Sequence, residues 1–417
     1  MKITLVGFGM SNKALLDRLG RVEGYEFFLS ERRPLGKDEI DYLNSMGIEY
    51  EVGHTERLLD ADVIVVSPGV KPSTEVGNMI LSSGVQVHVD VSFYFEIFEK
   101  GRAKVIGVTG TNGKSTTVYM IEHVLRKLSN NAVAAGNNEF PIFRVDIDDV
   151  DYLVLELSSF QLFWSPHIPL DYSLILNVKE DHLDWHGSFQ DYLKSKLKVL
   201  DFSKESILNP DLSRVVQKGK YRVFSGVDEK KLPDPLRSAQ NVENVSAVKT
   251  LLVDVMAVVG EMEFYDLIGD FELLPHRLEF VDEVKGVKFY DDSKATNTHA
   301  VLKALSNFEA ATLILSGIVK EKNLEDFAKA VEERTDVVIL LGEEIRRKLG
   351  SFLEGHIFVS DMKSAVEEAF RRTKSGVVLF SPAGASFDMY KNYKERGEDF
   401  KRKVGDLKRC IEAGCFS

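Results

Sequence analysis

Apolar positions along this chain come in short runs separated by helix-spaced stretches. Ile3-Thr4-Leu5-Val6, Glu26-Phe27-Phe28-Leu29, Val63-Ile64-Val65-Val66 and Val85-Gln86-Val87-His88-Val89 predict strands, with a helix over Ala14 to Leu19. The pattern resumes with strands at Lys104 to Val108, Tyr152 to Leu157 and Ser173 to Asn177. Short extra strands are expected at Ile207-Leu208-Asn209 and Tyr221 to Phe224, and helical spacing runs from Asn241 to Val259. Asp228 to Leu236 carries two prolines and mixed charge and reads as a surface loop. A third series, Val287 to Tyr290, Thr312 to Leu315, Val337 to Leu341, His356 to Val359 and Val377 to Phe380, alternates with helices at Leu324 to Arg334 and Met362 to Thr373. Alternating strands and helices predict an α/β fold with mainly parallel sheets. Three domains are expected: Rossmann-like over residues 1–90, P-loop-type over 91–272, and Rossmann-like again over 273–417.

The 417 residues exceed what one core supports. With 53 basic and 65 acidic residues the net charge is −12, which argues against general nucleic-acid binding and against a polybasic membrane patch. Anionic small molecules remain accessible, because helix termini and a few local cations hold phosphates. The two cysteines, Cys410 and Cys415, cannot staple such a chain, and both are read as incidental in a reducing, cytoplasmic compartment. The start, Met1 to Val6, lacks a signal-peptide h-region. No apolar stretch approaches the ~20 residues of a membrane span.

The chemistry centres on Gly110-Thr111-Asn112-Gly113-Lys114-Ser115-Thr116, between a strand and a helix start. Glycines there let backbone N–H groups converge on phosphate oxygens. Lys114 is placed to reach the β/γ-phosphates of ATP or GTP, and the Ser115 hydroxyl to ligate Mg2+. The strict motif wants a glycine at Val108, so a chance turn is the rival reading. Glu156 ends an apolar strand, where a Mg2+-directing acid belongs; a strand-end acid facing water is the alternative. His182 follows Glu180 and Asp181 in a strand-end loop, which suits a metal or phosphate role. Among the basic residues after Tyr192, Lys194 and Lys198 read as a solvated face. Arg277 is either a cis arginine contact to a triphosphate or a surface residue. Asp291-Asp292-Ser293-Lys294-Ala295-Thr296-Asn297 could grip ribose, phosphate or carboxylate, and Asp292 or Ser293 could cap the next helix. Ser381 to Asp388 is either a small-carboxylate site or a tight turn. The turn Gly7-Phe8-Gly9-Met10-Ser11 holds half of a dinucleotide fingerprint, with Asn12 at the third glycine position. That counts against a hydride cofactor and leaves an anion-binding turn.

Taken together and in this order, the motifs resemble the Mur ligases, ATP-dependent amide-forming enzymes of peptidoglycan synthesis. Gly110 to Thr116, Glu156 to Gln161, Asp181-His182 and His276-Arg277 carry the wider likeness. Asp292 to Asn297 and the segment from Ser381 to Asp388 are similar to the D-glutamate-adding branch. The resemblance implies UDP-N-acetylmuramoyl-L-alanine and D-glutamate as substrates, ATP and Mg2+ as cofactors, no nucleic acid or membrane partner, and a monomer. It implies that Lys114, Ser115 and Thr116 hold phosphates and one Mg2+ beside Glu156. His182 would ligate a second Mg2+, with Lys196 carbamylated into a carboxylate-like ligand. Asn241, Asn244, Arg277 and Asp292 would contact adenine, phosphate and ribose. Lys294, Thr296, Lys320, Ser386 and Tyr393 would surround D-glutamate. Ser11, Asn12, Lys13 and Arg32 would hold UDP, with Gly69 on a loop near it, and Asn137, Ser158 and Gln161 would bind substrate. The chain departs from the family at Ser30, where an acid is frequent, at Asn138-Glu139, at Ser316-Gly317-Ile318 and at Gly384.

The implied reaction is attack of the alanyl carboxylate on the γ-phosphate of ATP, then attack of the amino-acid amine on the acyl phosphate. A folate-type or other Mur specificity, a nucleotide-switch ATPase and a redox dinucleotide enzyme are the competing readings. The UDP-like first domain and the incomplete Gly7 turn count against the first and the last.

Overall fold

The computed structural model describes residues 1–216, 221–321, 324–374 and 376–414. Cys415 lies outside them. Cys410, on the last helix, forms no disulfide.

Three sheets organise the chain. The first holds β1 (Lys2–Val6), β2 (Glu26–Glu31), β3 (Glu49–Val52), β4 (Val63–Val66) and β5 (Gln86–His88), all parallel in the order β3-β2-β1-β4-β5. The second holds β6 (Lys104–Thr109), β7 (Ala132–Gly136), β8 (Tyr152–Glu156), β9 (Leu170–Ile175), β10 (Ser203–Leu208) and β11 (Tyr221–Val223). These are also all parallel, in the order β11-β10-β9-β6-β8-β7. The third holds β12 (Glu279–Val284), β13 (Val287–Asp291), β14 (Ala311–Ser316), β15 (Thr335–Leu341), β16 (Ile357–Val359) and β17 (Val377–Ala383). Its order is β12-β13-β17-β14-β15-β16, and only the β12–β13 pair is antiparallel. Three sheet-based α/β domains, two wholly and one mostly parallel, match the expected class.

The chain packs into two compact units. One comprises residues 1–178, 182–231 and 244–271, and the other residues 179–181, 232–243 and 272–417. The first two sheets share a core within the first unit. Phe93 and Tyr94, on the helix Asp90–Ile97, pack on Phe143 beyond β7. The Tyr94 hydroxyl donates to Val145 O at 3.0 Å.

Several expected boundaries shift. The first helix starts at Met10, because Gly9 takes the extended N-cap conformation. The strand expected at Ser173 to Asn177 is Leu170–Ile175, which releases Asn177 into the loop. The expected Asn241 to Val259 helix is α-helical over Ala239–Lys249 and π-helical over Thr250–Val255. The expected surface loop at Asp228 to Leu236 contains two 3-10 turns, with Leu232 and Leu236 buried.

Candidate functional site

In the first unit the strand ends of the second sheet converge on the phosphate loop. Gly113 is the N-cap of the helix Lys114–Lys127 with φ of +86°, a left-handed conformation that favours glycine. Lys114 folds back over the loop, donating from Nζ to Gly110 O and Thr111 O, both at 2.9 Å. The loop is braced by Asn177, whose Oδ1 accepts from Asn112 N at 2.9 Å and whose O accepts from Thr111 N at 2.8 Å. Tyr192 joins it through Thr111 Oγ1 at 2.9 Å.

Glu156 closes β8 and is only 3% exposed. Its carboxylate accepts from the Ser115 hydroxyl at 2.5 Å and from Asn137 Nδ2 at 2.9 Å. Parallel pairing of β6, β8 and β7 makes this cluster, since each residue lies just beyond or at the C-terminal end of one strand. A buried carboxylate and hydroxyl are hard oxygen donors, and they fit a small divalent cation.

Lys196 lies on the helix Phe189–Phe202 and is 2% exposed. Its Nζ donates to Gly110 O at 2.7 Å and stands 4.7 Å from the Tyr192 ring centroid. Two lysines, 114 and 196, therefore point at one carbonyl. His182 has φ of +53° and packs edge-on to Phe160 at 4.7 Å. Buried His186 bonds Ser159 Oγ at 3.0 Å, and burial, with the Lys196 charge, pulls its pKa down to about 4. Asn244 is 1% exposed and abuts Gly113.

At the first sheet's edge, buried Asn12 donates to Gly7 O at 2.8 Å and Ser67 Oγ at 3.3 Å, so its amide fixes the turn itself. Lys13, Arg32 and Gly69 are exposed around that edge, and Ser11 is half-buried. Ser158 and Gln161 form a capping box on the helix Ser159–Trp164.

In the second unit Arg277 is half-buried and flanked by two left-handed residues, His276 with φ of +64° and Leu278 with φ of +51°. Asp292 is buried, accepting from the Ser381 hydroxyl at 2.8 Å and Leu278 N at 3.2 Å. Burial raises its pKa to about 7 against the pull of those bonds. Lys294 Nζ lies 3.8 Å from the centroid of the Tyr393 ring. Backbone bonds between Ile318 and Ala385 bring the turn leading to Lys320 beside the turn carrying Ser386. Lys320 is exposed, Thr296 half-buried and Ser386 buried. Asn241 donates to Pro235 O at 3.1 Å, within its own connecting segment.

Two expectations need correction. Lys198 is not on a solvated face, for its Nζ donates to Phe163 O at 3.1 Å and Ser165 O at 2.7 Å; Lys194 is exposed. Neither Asp292 nor Ser293 caps the following helix, because Asn297 does, accepting from Ala300 N. Another group with metal-ligand spacing, His276, Glu279 and Asp291, is filled internally. His276 Nδ1 bonds Asp291 at 2.6 Å and Lys401 Nζ lies 3.2 Å from Glu279.

Sequence reasoning missed three buried groups. Glu31 ends β2, and its carboxylate accepts from the N–H of Phe8, Arg32 and Arg33. Arg396, fully buried, bonds Ser293 and Gly384 O and so ties two site loops together. Its signal was available, since it falls on the apolar stripe of Phe400, Val404 and Leu407. Asp90 is the third, accepting from Gln161 Nε2 at 3.2 Å.

Known proteins share this organisation. Residues 2–76 match the model of the MurD N-terminal domain, 108–272 the Mur ligase middle domain, and 276–384 the Mur ligase glutamate ligase domain. The UDP-N-acetylmuramoylalanine--D-glutamate ligase of Thermosipho africanus is 41% identical, over 98% of this chain and 99% of that protein. The protein of the same name from Thermotoga maritima is 39% identical, over 97% of this chain and 100% of that protein. The crystal structure of the MurF ligase from Thermotoga maritima in complex with ADP superposes with a TM-score of 0.60 at 16% identity, covering 94% of this chain and 97% of that one. Full-length identity at this level, with the matched domain models, makes the chain a member of the Mur ligase family.

Proposed function

We propose that the chain joins D-glutamate to UDP-N-acetylmuramoyl-L-alanine, converting ATP to ADP and phosphate. The observation that carries this reading is the Ser115–Glu156–Asn137 cluster beside the Lys114 loop, in a chain whose full-length relatives bear that ligase's name. A MurF ligase of like fold was solved in complex with ADP, which is in keeping with nucleotide binding by this chain. Residues 1–90 would hold the UDP substrate, 91–272 ATP, and 273–417 the amino acid.

In this reading the alanyl carboxylate oxygen attacks the γ-phosphorus, ADP leaves, and an acyl phosphate forms. The D-glutamate amine then attacks the acyl carbon, phosphate leaves, and the amine proton passes to solvent. Lys114 counters phosphate charge, and the loop N–H groups orient the chain of phosphates. Mg2+ held by Ser115 and Glu156, with His182 and carbamylated Lys196 as a second set, would neutralise charge developing on the transferred group. Lys294, Thr296, Lys320, Ser386 and Tyr393 would orient D-glutamate, with Arg277, Asp292, Asn241 and Asn244 on the nucleotide. Ser11, Asn12, Lys13, Arg32 and Gly69 would hold UDP. The task is mainly positioning, which itself lowers the barrier.

The test is phosphate release from ATP with Mg2+ and UDP-N-acetylmuramoyl-L-alanine, with and without D-glutamate, L-glutamate, L-alanine or L-lysine. Release that needs both the UDP substrate and D-glutamate is the expected result. Release with a different amino acid would move the specificity, and release with ATP alone would overturn the ligase reading.

A further inference from the structure

Ser30 and Glu51 pair in register across β2 and β3, at the carboxyl end of the first sheet. Just beyond β3, Gly53 N–H donates to Glu31 O at 2.8 Å, and His54, with φ of +54°, brings its ring to Ser30. Ser30 is fully buried. Its hydroxyl donates to Glu51 Oε1 at 2.7 Å and lies 2.8 Å from His54 Nδ1. Glu51 also accepts from the Thr55 N–H and hydroxyl. Ser30 O accepts from Gly7 N at 2.9 Å, and Glu31 accepts from Phe8 N, so this cluster abuts the Gly7 turn inside one compact unit.

These contacts fix where the protons sit. A hydroxyl has one hydrogen, and an ionised carboxylate only accepts. Burial raises the Glu51 pKa, but the bonds from Ser30 and Thr55 outweigh it and hold the carboxyl below its ordinary value. Glu51 therefore takes the Ser30 hydrogen, and only lone pairs on Oγ remain for His54. Nδ1 must be the donor, so in the neutral ring Nε2 is a bare acceptor. Burial lowers the His54 pKa against the pull of Glu31 and Glu51, which keeps the ring neutral near neutral pH. Among the described residues no hydrogen bond reaches Nε2, and the ring is half-buried. Ligands of open parallel sheets bind beyond the carboxyl ends of the strands. Glu31 and Glu51 make this end unfavourable to a diphosphate, which Lys13 and Arg32 suit better, so a neutral group fits here.

We propose that His54 selects the base of the nucleotide-linked substrate, its bare Nε2 accepting the N3–H of uracil while Ser30 and Glu51 hold the tautomer. This rests on the function proposed above. Uracil offers a donor, N3–H, between two carbonyl acceptors. Cytosine has a lone pair at N3, which would face the lone pair of Nε2 and leave a half-buried acceptor unpaired. His54 takes no part in phosphoryl or acyl transfer.

The experiment is equilibrium binding, without ATP, of UDP-N-acetylmuramoyl-L-alanine and of its CDP-linked counterpart, to the parent enzyme and to His54→Phe and Ser30→Ala. The parent should prefer uracil by about 20-fold or more. His54→Phe should weaken the uracil ligand about tenfold and move the cytosine ligand less than about twofold, so that the preference falls to about fourfold or less. Ser30→Ala, which removes the group that sets the tautomer, should cut the preference about threefold or more with His54 still present. A merely structural role would weaken both ligands alike, and that result would overturn the proposal. So would a parent preference within about twofold, or a parent preference kept intact by His54→Phe. The parent comparison is readable even if a variant does not fold. Product formation by the unsubstituted enzyme carries the ligase reading independently, so an active enzyme without base preference removes the His54 assignment alone.

Discussion

Replacing Gly113 by alanine tests the phosphate loop with a built-in control. At φ of +86° an alanine costs about 1–2 kcal/mol in backbone strain. Its Cβ would also lie 2.3 Å from Asn244 Oδ1, so something must withdraw by roughly 1 Å, adding about 1–3 kcal/mol. Asn244 has little room, being 1% exposed with its Nδ2 buried and unpartnered. Gly24 has φ of +93°, but a Cβ added there would meet nothing within 4 Å, so Gly24→Ala isolates the strain. At about 2–4 °C per kcal/mol, Gly113→Ala should lower Tm by roughly 5–15 °C and Gly24→Ala by a few degrees. Displacing Asn244 should also weaken ATP binding, about tenfold for each 1.4 kcal/mol lost. Thermal melts and equilibrium binding of a non-hydrolysable ATP analogue measure both. If Gly113→Ala melted like Gly24→Ala and bound the analogue as tightly as the parent, the assigned loop geometry would be wrong.

Two further outcomes are expected. Lys196→Ala should lose on the order of 100-fold or more in activity and recover part of it with formate or acetate, as expected if a carboxylate-like group is needed there; full activity without additives would refute a carbamylated Lys196. Asp292, with its pKa raised from 3.8 to about 7, keeps its proton when folded over a range where the unfolded chain has lost it. Stability contributed at this site therefore falls as pH rises from about 4 to about 7, by at most about 4 kcal/mol. Subtracting the Tm–pH curve of Asp292→Asn from that of the parent isolates this slope, and a flat difference would exclude it.

Strands buried on both faces were the plainest in the pattern, though edge strands such as Tyr221–Val223 and Ile357–Val359 were read too. Val63–Val66 and Ala311–Ser316 are buried throughout and were legible as apolar runs. Glu49–Val52 and Glu279–Val284 were not, because each is an edge strand with charged, half-exposed positions. Ala132–Gly136 was missed as well, since its small residues carry no strand signature. The phosphate loop was legible because its glycines, Lys114 and Ser115 are contiguous. Asp90 and Arg396 were not read, because what they do depends on partners 71 and 103 positions away. The Ser115–Glu156 contact likewise joins residues 41 apart, and a strand-end acid suggested it only by its position.

The aromatic packing of Phe93 and Tyr94 on Phe143 also sets a schedule for synthesis. The hydroxyl of Tyr94 waits for a carbonyl 51 residues downstream, and the Phe143 ring emerges almost as late. At about 5–20 residues per second, the first sheet spends roughly 3–10 s on the ribosome with these rings uncovered. During that interval the nascent chain displays a sticky aromatic face, the kind of surface that chaperones bind. Codon choice between Tyr94 and Val145 would thus govern how long that face stays open.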